Sequence, residues 1–233
     1  MSELAFKLFL AIHIVAGMSS LILFWVPVVA RKGSINHRRV GKIYVNLMWL
    51  VVASAALMSI INLFSSRVVQ SIFLGFLALL TAKPLWLGIA VLKHKREPGP
   101  GFLRTGLALN GTLLIAGLAL IAFGISLLGE TVALLMIAFG ALGMLGLPDI
   151  IATLKSNVDG SDWLHAHIGD MIVSGIAAHT AFFAFGASQF TASIFTGNWV
   201  TVPWLAPTVI GTIGIIYARA KFPGTPAKTK AVL

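Results

Sequence analysis

Six histidines and no cysteine define the chemistry open to this chain of 233 residues. Imidazole, carboxylate and amine must carry it, because disulfides, thiolate metal sites, covalently attached c-type haem and Cys-held iron–sulfur clusters all need sulfur. His13 and His179 lie inside apolar stretches, about 12 Å and about 16 Å below the corresponding helix ends at 1.5 Å per residue. Those similar depths predict that they meet across two neighbouring helices. His37 follows the first stretch, and His165 and His167 open the sixth. His165 and His179 are fourteen apart, which returns to nearly the same helix face about 21 Å away, whereas His167 is turned roughly 120° from His179. Two histidine levels on one helix, each with a partner on or beside the first helix, is the pattern by which helical bundles hold two stacked b-type haems, with neutral imidazole as axial ligand. The spacing therefore predicts one haem site at His13 and His179, and a second at His37 with His165 or His167. The plainer alternative for His13 and His179 is a hydrogen bond across the bundle to Ser, Thr or a backbone carbonyl. For His37, beside Arg38 and Arg39, it is a headgroup or helix-start role.

Lys83 is the other anomaly, in Thr81-Ala82-Lys83-Pro84 midway along the third apolar stretch. An ammonium there needs a partner or a wet cavity. Asp149, in Leu147-Pro148-Asp149, is the carboxylate that a long side chain could reach. The two Pro-interrupted segments, each with one charge, fit either a substrate or proton path or an ion pair that closes the bundle. His37, His165, His167 and Asp170 also allow a three-ligand hydrolytic zinc site, since His167 and Asp170 are helical neighbours. Against that, Ser161 or Asp162 caps the helix and Asp170 complements its positive end.

These groups are positioned by elements whose class is plain from composition. At 58 % hydrophobic, 10 % charged and mean hydropathy +0.96, the chain lies far from the soluble balance of about 25 % charged residues. Seven apolar stretches can be marked, at 6–30, 43–64, 71–92, 105–128, 131–154, 165–190 and 202–218. Each is long enough to cross roughly 30 Å of hydrocarbon, the last only marginally. The fourth and fifth are joined by Gly129-Glu130, which demands a tight hairpin. The expectation is an all-α bundle of seven transmembrane helices, residues 1–222 forming one domain and 223–233 a basic, disordered tail stopped off by Pro223, Gly224 and Pro226. Small residues such as Gly17, Gly117, Gly140, Gly143 and Gly175 would let backbones approach closely.

Basic residues sort by side. Fourteen fall in the first, third and fifth links and the tail (Arg31, Lys32, Arg38, Arg39, Lys42, Lys93, Lys95, Arg96, Arg104, Lys155, Arg219, Lys221, Lys228, Lys230), against Lys7 and Arg67 on the other side. The positive-inside rule then puts the N-terminus outside and the C-terminus in the cytoplasm. The net charge of +10 is thereby assigned to the cytoplasmic face and its anionic lipids, and nucleic acid is not needed to explain it. The first stretch is longer than a signal-peptide core and its basic cluster follows it, so it is expected to be retained.

The string His13-x-x-x-Gly17, then His37-Arg38-Arg39-Val40-Gly41-Lys42-Ile43-Tyr44, resembles a bacterial inner-membrane family defined as a domain of unknown function. His167-Ile168-Gly169-Asp170-Met171 leading to Ser174 is similar to that family's later His-x-x-x-Met segment. The resemblance implies a multi-pass protein of the bacterial cytoplasmic membrane, and it groups His13, His37 and His167. Asp170 and the extra His165 and His179 depart from the pattern. Three functions follow from the sequence. The first is a b-type haem protein moving electrons between quinol and a partner subunit. The second is a small transporter or proton-coupled carrier using Lys83 and Asp149, and the third a non-catalytic membrane scaffold or assembly factor.

Overall fold

The protein is described by a computed structural model covering residues 2–95, 98–155, 162–187, 190, 193–195, 199 and 202–222. The expected tail, Arg96, Lys228, Lys230 and the Ser161 cap lie outside the described residues.

Within hydrocarbon each backbone N–H and C=O must find its partner inside its own segment, which leaves helices as the natural solution for stretches this apolar. The described elements are α1 (Ser2–Val29), α2 (Ile35–Phe64), α3 (Val68–Ala90), α4 (Pro100–Ser126), α5 (Thr131–Leu142), α6 (Leu147–Leu154), α7 (Trp163–Ala181) and α8 (Val202–Lys221). A short 3-10 turn, Val91–Lys93, extends α3, another, Gly143–Gly146, joins α5 to α6, and a π-helical turn, Phe182–Gly186, extends α7. With α5 and α6 read as one broken span, seven helical segments among the described residues are long and apolar enough to cross a membrane. The chain has the character of a multi-pass membrane protein.

α2 begins eight residues before the apolar stretch that announces it. Ser34 is its N-cap and accepts a hydrogen bond from the His37 N–H at 3.2 Å, so His37 lies in the first turn of α2 and not in a loop. The hydropathy pattern misses these two turns because a helix entering the headgroup region stays helical while its side chains turn polar. Between α2 and α3 the chain reverses within residues 65–67, Asn62 O accepting the N–H groups of Ser65 and Arg67 while Ser66 takes φ 59°. The α4–α5 reversal uses Gly129 at φ 108°, a conformation glycine adopts without steric cost.

Four helices form a ring. α2 packs on α1 and α3, and α7 packs on α3 and α1, so α2 and α7 face each other across the middle. α2 and α7 run the same way, because His37 lies near His167 and, seven residues on, Tyr44 bonds Ser174. Inside the ring sit Phe24, Tyr44, Val45, Met48 and Leu85. α4 lies against α3, with α5 and α6 behind it, and α8 lies against α7. The second core, Phe73, Phe76, Leu113, Leu120 and Met136, joins α3, α4 and α5. A Cβ on Gly140 would stand 2.7 Å from the Gly117 carbonyl oxygen and one on Gly143 2.6 Å from that of Leu113. Bare backbones touch there, as packing between helices in lipid favours.

Candidate functional site

At the end of the ring where α1 and α3 finish and α2 and α7 begin, His37 of α2 and His167 of α7 bring their rings to 6.4 Å between centroids, 69° apart in plane. Each is held by a neighbouring helix. His37 Nδ1 lies 3.1 Å from the Pro27 carbonyl of α1, and His167 Nδ1 lies 2.6 Å from the Gly88 carbonyl of α3. A carbonyl oxygen only accepts, so in both rings Nδ1 carries the hydrogen, and the neutral imidazole keeps its lone pair on Nε2. Neither Nε2 has a hydrogen-bond partner among the described residues. Nδ1–H on a backbone carbonyl is also the outer contact that orients metal-ligating histidines.

The surroundings explain the placement. Gly88 serves twice: its carbonyl anchors His167, and its missing side chain leaves room for α7, since a Cβ there would come within 2.9 Å of the Asp170 Cβ and 2.6 Å of Met171 Cε. Two turns further into the ring, the Tyr44 hydroxyl and Ser174 Oγ hydrogen-bond at 2.8 Å, and Ser174 also donates to the Met171 carbonyl. Tyr44 is 2 % exposed and Ser174 is fully buried, so this bond lies inside the ring, two turns from the histidines. Below them the site is basic. Lys32 donates to the Pro27 and Val28 carbonyls at 2.9 and 2.8 Å, and burial, then the nearby Lys221, holds its ammonium below the ordinary lysine range. Lys95 sits 4.4 Å from the centre of the Trp163 ring.

The remaining sequence candidates go elsewhere. His165 is not the partner of His37: its Nδ1 meets the Asp162 carboxylate at 2.7 Å and its Nε2 the Phe222 carbonyl at 2.7 Å. Asp162, the N-cap of α7, makes that contact and no side-chain cap. His13 and His179 are not brought together. His13 Nδ1 lies 3.0 Å from Ser54 Oγ and 3.2 Å from the Val51 carbonyl. His179 Nδ1 bonds the Gly175 carbonyl at 2.7 Å, and its ring meets Phe24 and Trp25 edge-on. Phe24 is eleven residues, about 16 Å, along α1 from His13. The depth count assumed level helices, but the Phe24 ring seats against Gly175. His179 is thereby held at the level of Phe24 and Trp25, well away from His13 along α1.

The three-ligand zinc set is likewise not assembled: among the described residues no group of three His, Asp or Glu could hold a metal ion. Lys83 and Asp149 form no direct pair either, the described ion pairs within 4 Å being Lys7–Glu3 and His165–Asp162. Instead Lys83, Asp149 and Arg219 all lie within electrostatic reach of half-buried Asp170. Arg219 also passes 3.6 Å from the place a Gly169 Cβ would occupy. This convergence was not legible from spacing, since it joins α3, α6, α7 and α8. His94, which the spacing left aside, packs on Phe102 and accepts from the Gly99 N–H.

No family model, curated protein or solved structure matches this chain.

If the Tyr44–Ser174 bond braces the ring above the histidines, a double-mutant cycle with Tyr44→Phe and Ser174→Ala should return a coupling of about 0.6 kcal/mol, and no more than about 1.7. Unfolding in mixed micelles measures it, and additive single effects would show that the bond stabilises nothing.

Proposed function

We propose that the chain is a bacterial inner-membrane protein that holds a b-type haem between His37 and His167 and passes electrons, with the N-terminus outside and the C-terminus in the cytoplasm. The observation that carries this reading is the histidine pair itself, two rings from facing helices with both Nδ1–H groups occupied and both Nε2 lone pairs without a partner among the described residues. His37 and His167 would hold the haem iron through Nε2, their ring centres lying 6.4 Å apart with Nδ1 already anchored to backbone carbonyls. A bound haem supplies a one-electron carrier. The chain's residues supply the rest: Pro27 and Gly88 hold the rings in the ligating tautomer, and Tyr44 and Ser174 bond inside the helix ring, two turns away. A half-buried site at the edge of the hydrocarbon suits a lipid-dissolved donor such as a quinol, with a second membrane subunit as acceptor. The string that resembles an inner-membrane family contributes both His37 and Tyr44 to this site. A second haem at His13 and His179 has no such support.

The gathering of Lys83, Asp149 and Arg219 around Asp170 favours a second reading, proton-coupled transport. One experiment separates the two. Protein produced with ample haem and purified in mild detergent should show a split α/β band in its dithionite-reduced minus oxidised spectrum. His37→Ala and His167→Ala should each lose that band, while His13→Ala, Lys83→Gln and Asp170→Asn keep it. A colourless wild type, or a band that survives both histidine substitutions, would sink the haem assignment.

Orientation has its own check, and the absence of native cysteine makes it clean. Ser65→Cys should react with a membrane-impermeant maleimide in intact cells opened only at the outer membrane, and Asn36→Cys only after the inner membrane is broken. The reverse pattern contradicts the orientation.

A further inference from the structure

The first turns of α2 carry a second feature, on the side away from His37. Ile35, Arg38, Arg39, Lys42 and Ile43 line an open groove of about 410 Å³. Their spacing of three, four, seven and eight residues from Ile35 makes them one stripe along a helix face. Ile35 and Ile43 are 65 % and 45 % exposed, and Arg38, Arg39 and Lys42 are exposed as well. None of the three cations has a carboxylate partner among the described residues, where the only ion pairs are Lys7–Glu3 and His165–Asp162. The backbone N–H of His37 is already taken by Ser34, so the groove's attraction for an anion lies in the side chains and not in the helix end.

We propose that this groove binds the phosphate-bearing headgroup of an anionic phospholipid. Charge complementarity selects the headgroup: three uncompensated cations, two of them guanidinium groups whose planar forks match phosphate oxygens in pairs. Position selects a lipid as the source of that phosphate. The groove lies where α2 passes from polar turns into its apolar length, with Ile43 at the deep end to meet an acyl chain and the cations at headgroup level. The opposite side of the same turns presents His37 to the ring. The bound lipid would thus fix the height of the turn that carries that histidine. The lipid site stands whether or not the histidine pair holds haem, since none of its residues belongs to that pair.

The test gives detergent-purified protein an equimolar mixture of phosphatidylglycerol and phosphatidylcholine and counts retained lipid by native mass spectrometry, with and without inorganic phosphate. The wild type is expected to retain phosphatidylglycerol in preference. Removing each cation should weaken that preference about five-fold, so that Arg38→Gln/Arg39→Gln/Lys42→Gln abolishes it. Lys93→Gln/Arg104→Gln/Lys155→Gln, which removes the same charge elsewhere, should leave it intact. If the groove variant does not accumulate, Arg39→Gln alone carries the test with its single five-fold loss. Equal retention of the two lipids by wild type, an unchanged preference in the groove variant or an equal loss in the control variant would overturn the assignment. Displacement of the lipid by equimolar inorganic phosphate would overturn the lipid as the ligand.

Discussion

The last turn of a helix leaves carbonyl oxygens without donors, and near hydrocarbon those oxygens must be satisfied by something other than bulk water. In this protein α1 and α3 end on the same side of the bundle, and the two helices that start there answer the need with histidine. Pro27 lies in the last turn of α1 and accepts from His37, while Gly88 lies in the last turn of α3 and accepts from His167. Helix termination, ring closure and histidine tautomer are one interaction seen at three scales. Lys32 completes the arrangement by donating to the Pro27 and Val28 carbonyls. The same bonds that satisfy the backbone leave two Nε2 lone pairs on facing helices, and the functional reading grows from that by-product.

Small residues determine where the ring can close. Gly88 admits Met171 and Asp170, and Gly175 admits the Phe24 ring. These two notches fix the height of α7 against α3 and α1, and hence which histidines share a level. Gly117, Gly140 and Gly143 do for α4 and α5 what Gly88 does for α3 and α7, but at a contact that carries no titratable group. The charged residues follow a different logic. Lys83, Asp149 and Arg219, from three helices, each act on Asp170 at a distance, without the hydrogen-bonded closeness of the histidine contacts.

Much of the architecture was readable from composition and apolar run length, because a bilayer imposes a length on any segment that crosses it. Runs of that length stand out even where, as in 131–154, Gly143 and Gly146 break the helix inside the span. Position along a helix was readable, but height between helices was not. Spacing puts His37 at one level with His165 or His167 and leaves the choice open; packing brings the His37 and His167 rings together. His13 and His179 were paired by counting from helix ends, and the Phe24–Gly175 contact that sets their offset has no signature in spacing. Hydropathy does not mark the start of α2 for a related reason: it reports the hydrocarbon, while the helix runs on into the headgroups. Spacing offers Asp170 as a zinc ligand or as a helix-start carboxylate, and its role as a meeting point for charges on three other helices depends on tertiary packing alone.

The measurement that bears most directly on the histidine pair is the low-temperature electron paramagnetic resonance spectrum of the oxidised protein, purified after expression with haem supplied. Two imidazoles from facing helices predict a low-spin ferric haem signal at one haem per chain. A high-spin signal, the mark of a single axial histidine, or a protein that carries no haem at all, would contradict the account.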